Sequence, residues 1–147
     1  YGMKNPKWIT SLEVIDEPYQ GFWEKLGWSD AAPYKPNALV FQPEDGAKLP
    51  PGKTVVVAGP AFAGSDPVTK VELRVNDGPW QVCALDYAPG ADIWTLWHLD
   101  WSPPKAGTYT LQVRCQTASG QTTQDNAKRY NDYTGFGGGM AVEVKVG

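Results

Sequence analysis

Lys4 and Lys7 flank Asn5-Pro6 near the head of the chain, directly before the pair Trp8-Ile9. One or two lysines beside backbone N–H groups can hold an anion such as a phosphate at low cost. On spacing alone, the same lysines read as ordinary surface groups before a strand. A second set, Asp86, Asp92, His98 and Asp100, has the residue types of a metal or acid–base cluster. Each flanks a turn or a strand end, and nothing in the spacing gathers them, so solvated loop carboxylates are the better reading. There is no Gly-rich phosphate loop, nucleophile elbow or Ser-His-Asp order. Cys83 and Cys115 lack a Cys-x-x-Cys spacing, and the single histidine makes no zinc set with them. A disulfide between them would suit an exported protein; in strands, such a pair more often serves as small core residues. Trp94 and Trp97 could stack on a sugar. Three residues apart on a regular strand, however, they face opposite sides and form no platform.

The elements that must position these residues read as β. Short apolar runs are punctuated by 16 Gly and 13 Pro, which suits a turn-rich β protein. Strands are expected over Ala38–Gln42, Thr54–Ala61, Thr69–Val75, Trp80–Leu85, Ile93–Asp100, Thr108–Thr117 and Met140–Val146. Asn76-Asp77-Gly78 reads as a tight hairpin turn, with Asp-Gly supplying the positive φ angles. Seven short strands in about 110 residues is the pattern of an all-β, immunoglobulin-like sandwich. Tyr109 is a candidate corner residue hydrogen-bonded to backbone, and Trp80, Trp94 or Trp97, Leu111 and Val113 are candidate core. Ahead of the sandwich, Trp8–Ile15 alternates like a strand, and Tyr19–Trp28 could form one or two helical turns. Residues 1–37 are too short to bury Phe22, Trp23 and Trp28 alone, so they must dock on neighbouring protein.

Composition excludes some classes. The chain has 147 residues, 41% hydrophobic with seven Trp and seven Tyr, enough to bury a core in one domain. The net charge is −3, divided as −1 over residues 1–37 and −2 over 38–147. No basic patch stands out, so no nucleic-acid partner is expected. No apolar run approaches the roughly 18 residues of a membrane span.

Gly2-x-Lys4-x-x-Lys7-Trp8-Ile9, then Ser11-Leu12-Glu13-Val14-Ile15-Asp16, then Tyr19-Gln20-Gly21-Phe22-Trp23-Glu24-Lys25, resembles the end of the catalytic domain in the sulfite oxidase family of molybdopterin enzymes. In that family an all-β dimerisation domain follows. Its ordered motifs are Gly-x-Ala-x-x-Gly, Val-Glu-Val-Ser-x-Asp-Gly-Gly-x-Trp and Trp-x-x-Trp. Here they stand as Gly59-Pro60-Ala61-Phe62-Ala63-Gly64, Val71-Glu72-Leu73-Arg74-Val75-Asn76-Asp77-Gly78-Pro79-Trp80 and Trp94-Thr95-Leu96-Trp97. The hairpin motif is shortened around Asp77-Gly78-Pro79, and the resemblance covers nearly the whole chain.

The resemblance implies that Asn5, Pro6 and Lys7 contact the cofactor, Pro6 through its carbonyl or ring only because it has no N–H. It implies residues 1–37 as the tail of a molybdopterin-binding domain plus linker, and 38–147 as the immunoglobulin-like dimerisation domain. Molybdenum–molybdopterin is then expected in the parent enzyme but not on this piece, because the molybdenum-ligating cysteine lies upstream. A homodimer through an apolar face of the β domain is expected, in contact with an upstream catalytic domain, in a periplasmic or extracytoplasmic setting. Animal-type sulfite oxidases carry a Trp-Asn-Leu-Arg-Gly run whose arginine faces the oxyanion substrate. The corresponding Tyr130-Asn131-Asp132-Tyr133-Thr134-Gly135 keeps Asn131 but not the arginine, with Arg129 just before it. The resemblance therefore implies the broader family rather than sulfite as substrate. A different class of reading is a stand-alone extracellular immunoglobulin-like binding or adhesion module.

Overall fold

In the computed structural model, the described residues are 4–123 and 137–147. Period-two alternation builds the centre of the fold. In β8 (Gly107–Thr117), Tyr109, Leu111, Val113, Cys115 and Thr117 all turn inward and are buried. Its neighbour β9 (Ala141–Val146) does the same with Val142, Val144 and Val146. On the other side of β8, β4 (Val68–Val75) contributes Val71 and Leu73 after a register shift between Val68 and Lys70. Facing them, β3 (Val55–Phe62) and β7 (Thr95–Trp101) turn in Val57, Ala61, Trp97 and Trp101. Each fully enclosed Leu, Val or Trp here contributes about 1.5–3 kcal/mol through the apolar area it removes from water.

Among the described residues, nine strands form two sheets rather than the seven expected. Sheet A has the order β1 (Asn37–Ala38)-β3-β7-β6 (Ala84–Tyr87) and sheet B the order β2 (Lys48–Leu49)-β9-β8-β4-β5 (Gln81–Val82). The expected Ala38–Gln42 strand shortens to β1 (Asn37–Ala38), followed by an isolated bridge from Gln42 to Ala58. A short β2 (Lys48–Leu49) lies parallel to β9. The expected Trp80–Leu85 strand is divided into β5 (Gln81–Val82) in sheet B and β6 (Ala84–Tyr87) in sheet A. The chain changes sheets at Cys83, whose N–H donates to the Val71 carbonyl at 2.9 Å.

Two turn details follow from local chemistry. Tyr109 Oη donates to the Lys105 carbonyl at 2.9 Å and stacks edge-on with Trp101, as expected of a corner tyrosine. The loop after β4 runs from 76 to 80 instead of closing in two residues. Its positive φ falls on Asn76, at 52°, and not on Gly78. Asn76 tolerates that conformation because its Oδ1 accepts the Thr110 N–H at 2.8 Å.

Residues 4–30 form an arm outside the sandwich. The expected Trp8–Ile15 strand does not form: all eight residues are exposed, and none pairs with a described strand. Alternation supplies a strand's two faces but not the neighbour its backbone must bond to. The helical segment is a single turn, α1 (Phe22–Lys25), with no buried residue. Phe22 stacks edge-on with Trp23 and Trp23 with Trp28, with ring centroids 5.2 and 5.6 Å apart. No helix among the described residues is long and apolar enough to cross a membrane.

Candidate functional site

Lys4, at the start of the arm, is folded back on it. Its ammonium reaches Glu24 Oε1 at 2.5 Å and Asp30 Oδ1 at 3.0 Å. The hydrogen bonds that Lys4 donates to Glu24 and then to Asp30 raise its pKa, and the first of them lowers that of Glu24. Lys4 therefore closes the arm and has little of its charge left to offer an anion. Asn5, Pro6 and Lys7 are adjacent and all exposed. Lys7 makes no hydrogen bond or ion pair with any described residue. The three candidate cofactor residues thus form one accessible edge, with one amide and one free ammonium as donors.

The suspected acid–base set comes together only in part. His98 Nδ1 lies 2.7 Å from Asp86 Oδ1 across β6 and β7, on the outer face of sheet A. Asp92 is elsewhere, its N–H donating to the Gly64 carbonyl. No group of three His, Cys, Asp or Glu side chains among the described residues is placed to hold a metal ion. Both cysteines are free and buried, and desolvation pushes both thiols up to about 12. Strand geometry explains why they stay apart. Cys115 is in register with Val71 on one side of β4, while Cys83 bonds the Val71 carbonyl from the other. Two strand spacings of about 4.8 Å separate them, beyond the reach of a disulfide.

Trp94 and Trp97 face opposite sides, as expected, while Trp80 departs from its expected place. Trp97 is core at 1% exposure, and Trp94 lies on the outer face of sheet A at 47%. Trp80 is not core: it lies on the outer face of sheet B, with the Arg114 and Arg74 guanidinium groups 4.2 and 4.8 Å from its ring centre. Beside it, Glu72 accepts from Arg114 Nε at 2.7 Å and pairs with Lys70 at 3.3 Å. Sequence reasoning missed one feature altogether: Tyr34, Phe62 and Trp94 stack in a row outside sheet A, with centroids 5.2 and 4.9 Å apart. Residue parity could have found it, since Trp94, Leu96 and His98 share the face opposite Thr95 and Trp97. Near that row, residues 31–36, the 63–66 loop, Asp92, Thr117 and Gln121 line a cleft of about 520 Å³, with no metal-ligating group among the described residues. The substrate-facing candidates Arg129 and Tyr130–Gly135 lie outside the described residues.

Two packed sheets, antiparallel except for the β2–β9 pair, with a corner tyrosine define the class as an immunoglobulin-like β-sandwich. The chain belongs to the bacterial Ig domain family, which matches residues 36–113. The resemblance to the sulfite oxidase family is also borne out. Sulfite oxidase of Gallus gallus is 29% identical over 138 residues, covering 78% of this chain and 29% of that protein. The sulfane dehydrogenase SoxCD of Paracoccus pantotrophus shares the fold with a TM-score of 0.59 at 17% identity, over 74% of this chain and 29% of that one. The CARDB domain of the PF1109 protein from Pyrococcus furiosus gives 0.51 at 12% identity, over 78% of this chain and 94% of that domain. The chain thus spans under a third of the length of the sulfite oxidase it matches.

Proposed function

We propose that this chain is the dimerisation domain of a molybdenum-cofactor-dependent oxidoreductase of the sulfite oxidase family, non-catalytic by itself. Residues 1–37 are the tail of the cofactor domain with its linker, and 38–147 the immunoglobulin-like module. The observation that carries this is the reach of the sulfite oxidase match. At 78% of 147 residues it covers about 115 positions, more than the 78 from 36 to 113. A match to a sulfite oxidase over that span favours this family's module over a stand-alone adhesion module.

The donors of the arm fit the terminal phosphate of a molybdopterin. Asn5 and Lys7 offer an amide and an uncommitted ammonium on an exposed edge, while Lys4 is occupied by Glu24 and Asp30. The cofactor, held mainly by the upstream domain, supplies the redox chemistry; Lys7 neutralises its phosphate and helps orient it. Removing a charge-assisted bond of this kind costs about 1.5–3 kcal/mol. In the full-length polypeptide, Lys7→Ala should therefore lower the molybdenum-to-protein ratio after purification without changing the melting temperature of the β domain. Full molybdenum retention would remove Lys7 from the cofactor site. Self-association is measured separately by sedimentation: a stable homodimer should bury more than about 1,000 Å², and a monomer at micromolar concentration would sink the dimerisation role.

A further inference from the structure

The two outer faces of the sandwich are chemically unlike. On sheet B, Lys70, Glu72, Arg74, Gln112 and Arg114 are bonded to one another or stacked on Trp80, a self-satisfied polar surface. On sheet A, Tyr34, Phe62, Trp94, Leu96 and Tyr87 form one apolar strip. The first three stack ring to ring, Leu96 shares the face of Trp94, and Tyr87 is in register with Leu96. Tyr34, Trp94, Leu96 and Tyr87 are between 47% and 67% exposed. An apolar strip of this extent, rimmed by the polar His98–Asp86 pair, is the composition of a contact surface.

Its position indicates what covers it. Tyr34 belongs to the segment that joins the arm to β1, and Asn37 of β1 is in register with Phe62. The arm is apolar and uncovered as well, with Trp8 at 95%, Leu12 at 82% and Phe22 at 68% exposure. Apolar surface is therefore present on both sides of the linker, and the strip begins where the arm attaches. A body seated on the arm is tethered beside the strip. We infer that the cofactor-binding part of the full polypeptide packs on the outer face of sheet A, centred on Trp94 and Leu96, with an apolar surface of its own. This assignment rests on the reading given under Proposed function, and it places the homodimer contact on another surface.

Hydroxyl-radical footprinting of the full-length polypeptide beside the 147-residue chain tests it. Oxidation of Trp94 and Tyr87 should fall about fivefold in the full-length form, as expected when half-exposed rings become interface core. Trp80, on the opposite face, should stay within about twofold. Protection of Trp8 and Trp23 without protection of Trp94 and Tyr87 would overturn the inference while leaving the parent reading intact. Equal protection of the strip in a dimeric 147-residue chain would assign it to a second copy and also overturn it. If the short chain does not fold alone, Leu96→Arg in the full-length polypeptide serves instead. Chymotryptic cleavage after Tyr34 should accelerate about tenfold as the contact opens, and an unchanged rate would count against the contact. Molybdenum content of the same samples reports separately on the parent reading.

Discussion

The carbonyl oxygen of Leu39 occupies the space that a β-carbon on Gly59 would need. Leu39 and Phe41 donate to the carbonyls of Pro60 and Ala58, which draws this segment across β3 at Gly59. The first glycine of the Gly59-x-Ala61-x-x-Gly64 motif is thus a packing requirement of the sandwich, and the last holds a positive φ of 65°.

Gly59→Ala should therefore destabilise the chain. A methyl group pressed into backbone atoms that cannot turn aside costs about 1–3 kcal/mol. Chemical denaturation measures it; a loss below about 0.5 kcal/mol would show that the Leu39 segment moves freely.

Leu111 and Leu96 form a matched pair. Leu111 is fully buried in β8, and Leu96 is 47% exposed on β7. Leu111→Ala should cost about 2–5 kcal/mol, the usual range for an enclosed leucine. Leu96→Ala in the 147-residue chain should stay near 0.5 kcal/mol or less, since its strip faces water there. Similar losses at both sites would mean that the inner and outer faces of sheet A have been misjudged.

How much of this was legible depended on whether a residue's partners were local. The inward faces of β8 and β9 could be read because one face of each meets a single core and alternation reports that directly. The change of sheet at Cys83 could not. Val82 points out, Cys83 in, Ala84 out and Leu85 partly in, so the alternation continues through the switch. An immunoglobulin-like pattern puts Trp80 in the core, yet two arginines from neighbouring strands cover it on the outside. The arm's alternation suggested a strand for which no described segment supplies an edge. The candidate cofactor edge at Asn5–Lys7 rested on resemblance alone, because a phosphate contact leaves no periodicity.

Cys83 and Cys115 should be chemically silent in the folded chain. With both thiols pushed up to about 12, roughly one part in ten thousand of either is ionised at pH 8, and only the thiolate alkylates. Iodoacetamide followed by mass measurement should add nothing to the native protein and two carbamidomethyl groups in denaturant. A native mass showing a disulfide would contradict the strand order that separates them.

Glu72 gives the fold an acid-sensitive element. Burial opposes its charge, but the hydrogen bond and charge of Arg114, followed by those of Lys70, outweigh that and hold its pKa below 4.5. The folded chain thus binds this proton more weakly than the unfolded one. The resulting stability is fully present above about pH 4.5 and is lost as pH falls through the lower folded value. Glu72→Gln removes the titration and leaves Arg114 without its anionic partner, at a cost of about 1–3 kcal/mol near neutrality. Denaturation midpoints from pH 7 down to pH 3 should therefore start lower in the variant and fall less steeply below pH 4.5. Parallel curves, offset by a constant amount, would show that Glu72 is not among the carboxylates whose protonation weakens the sandwich.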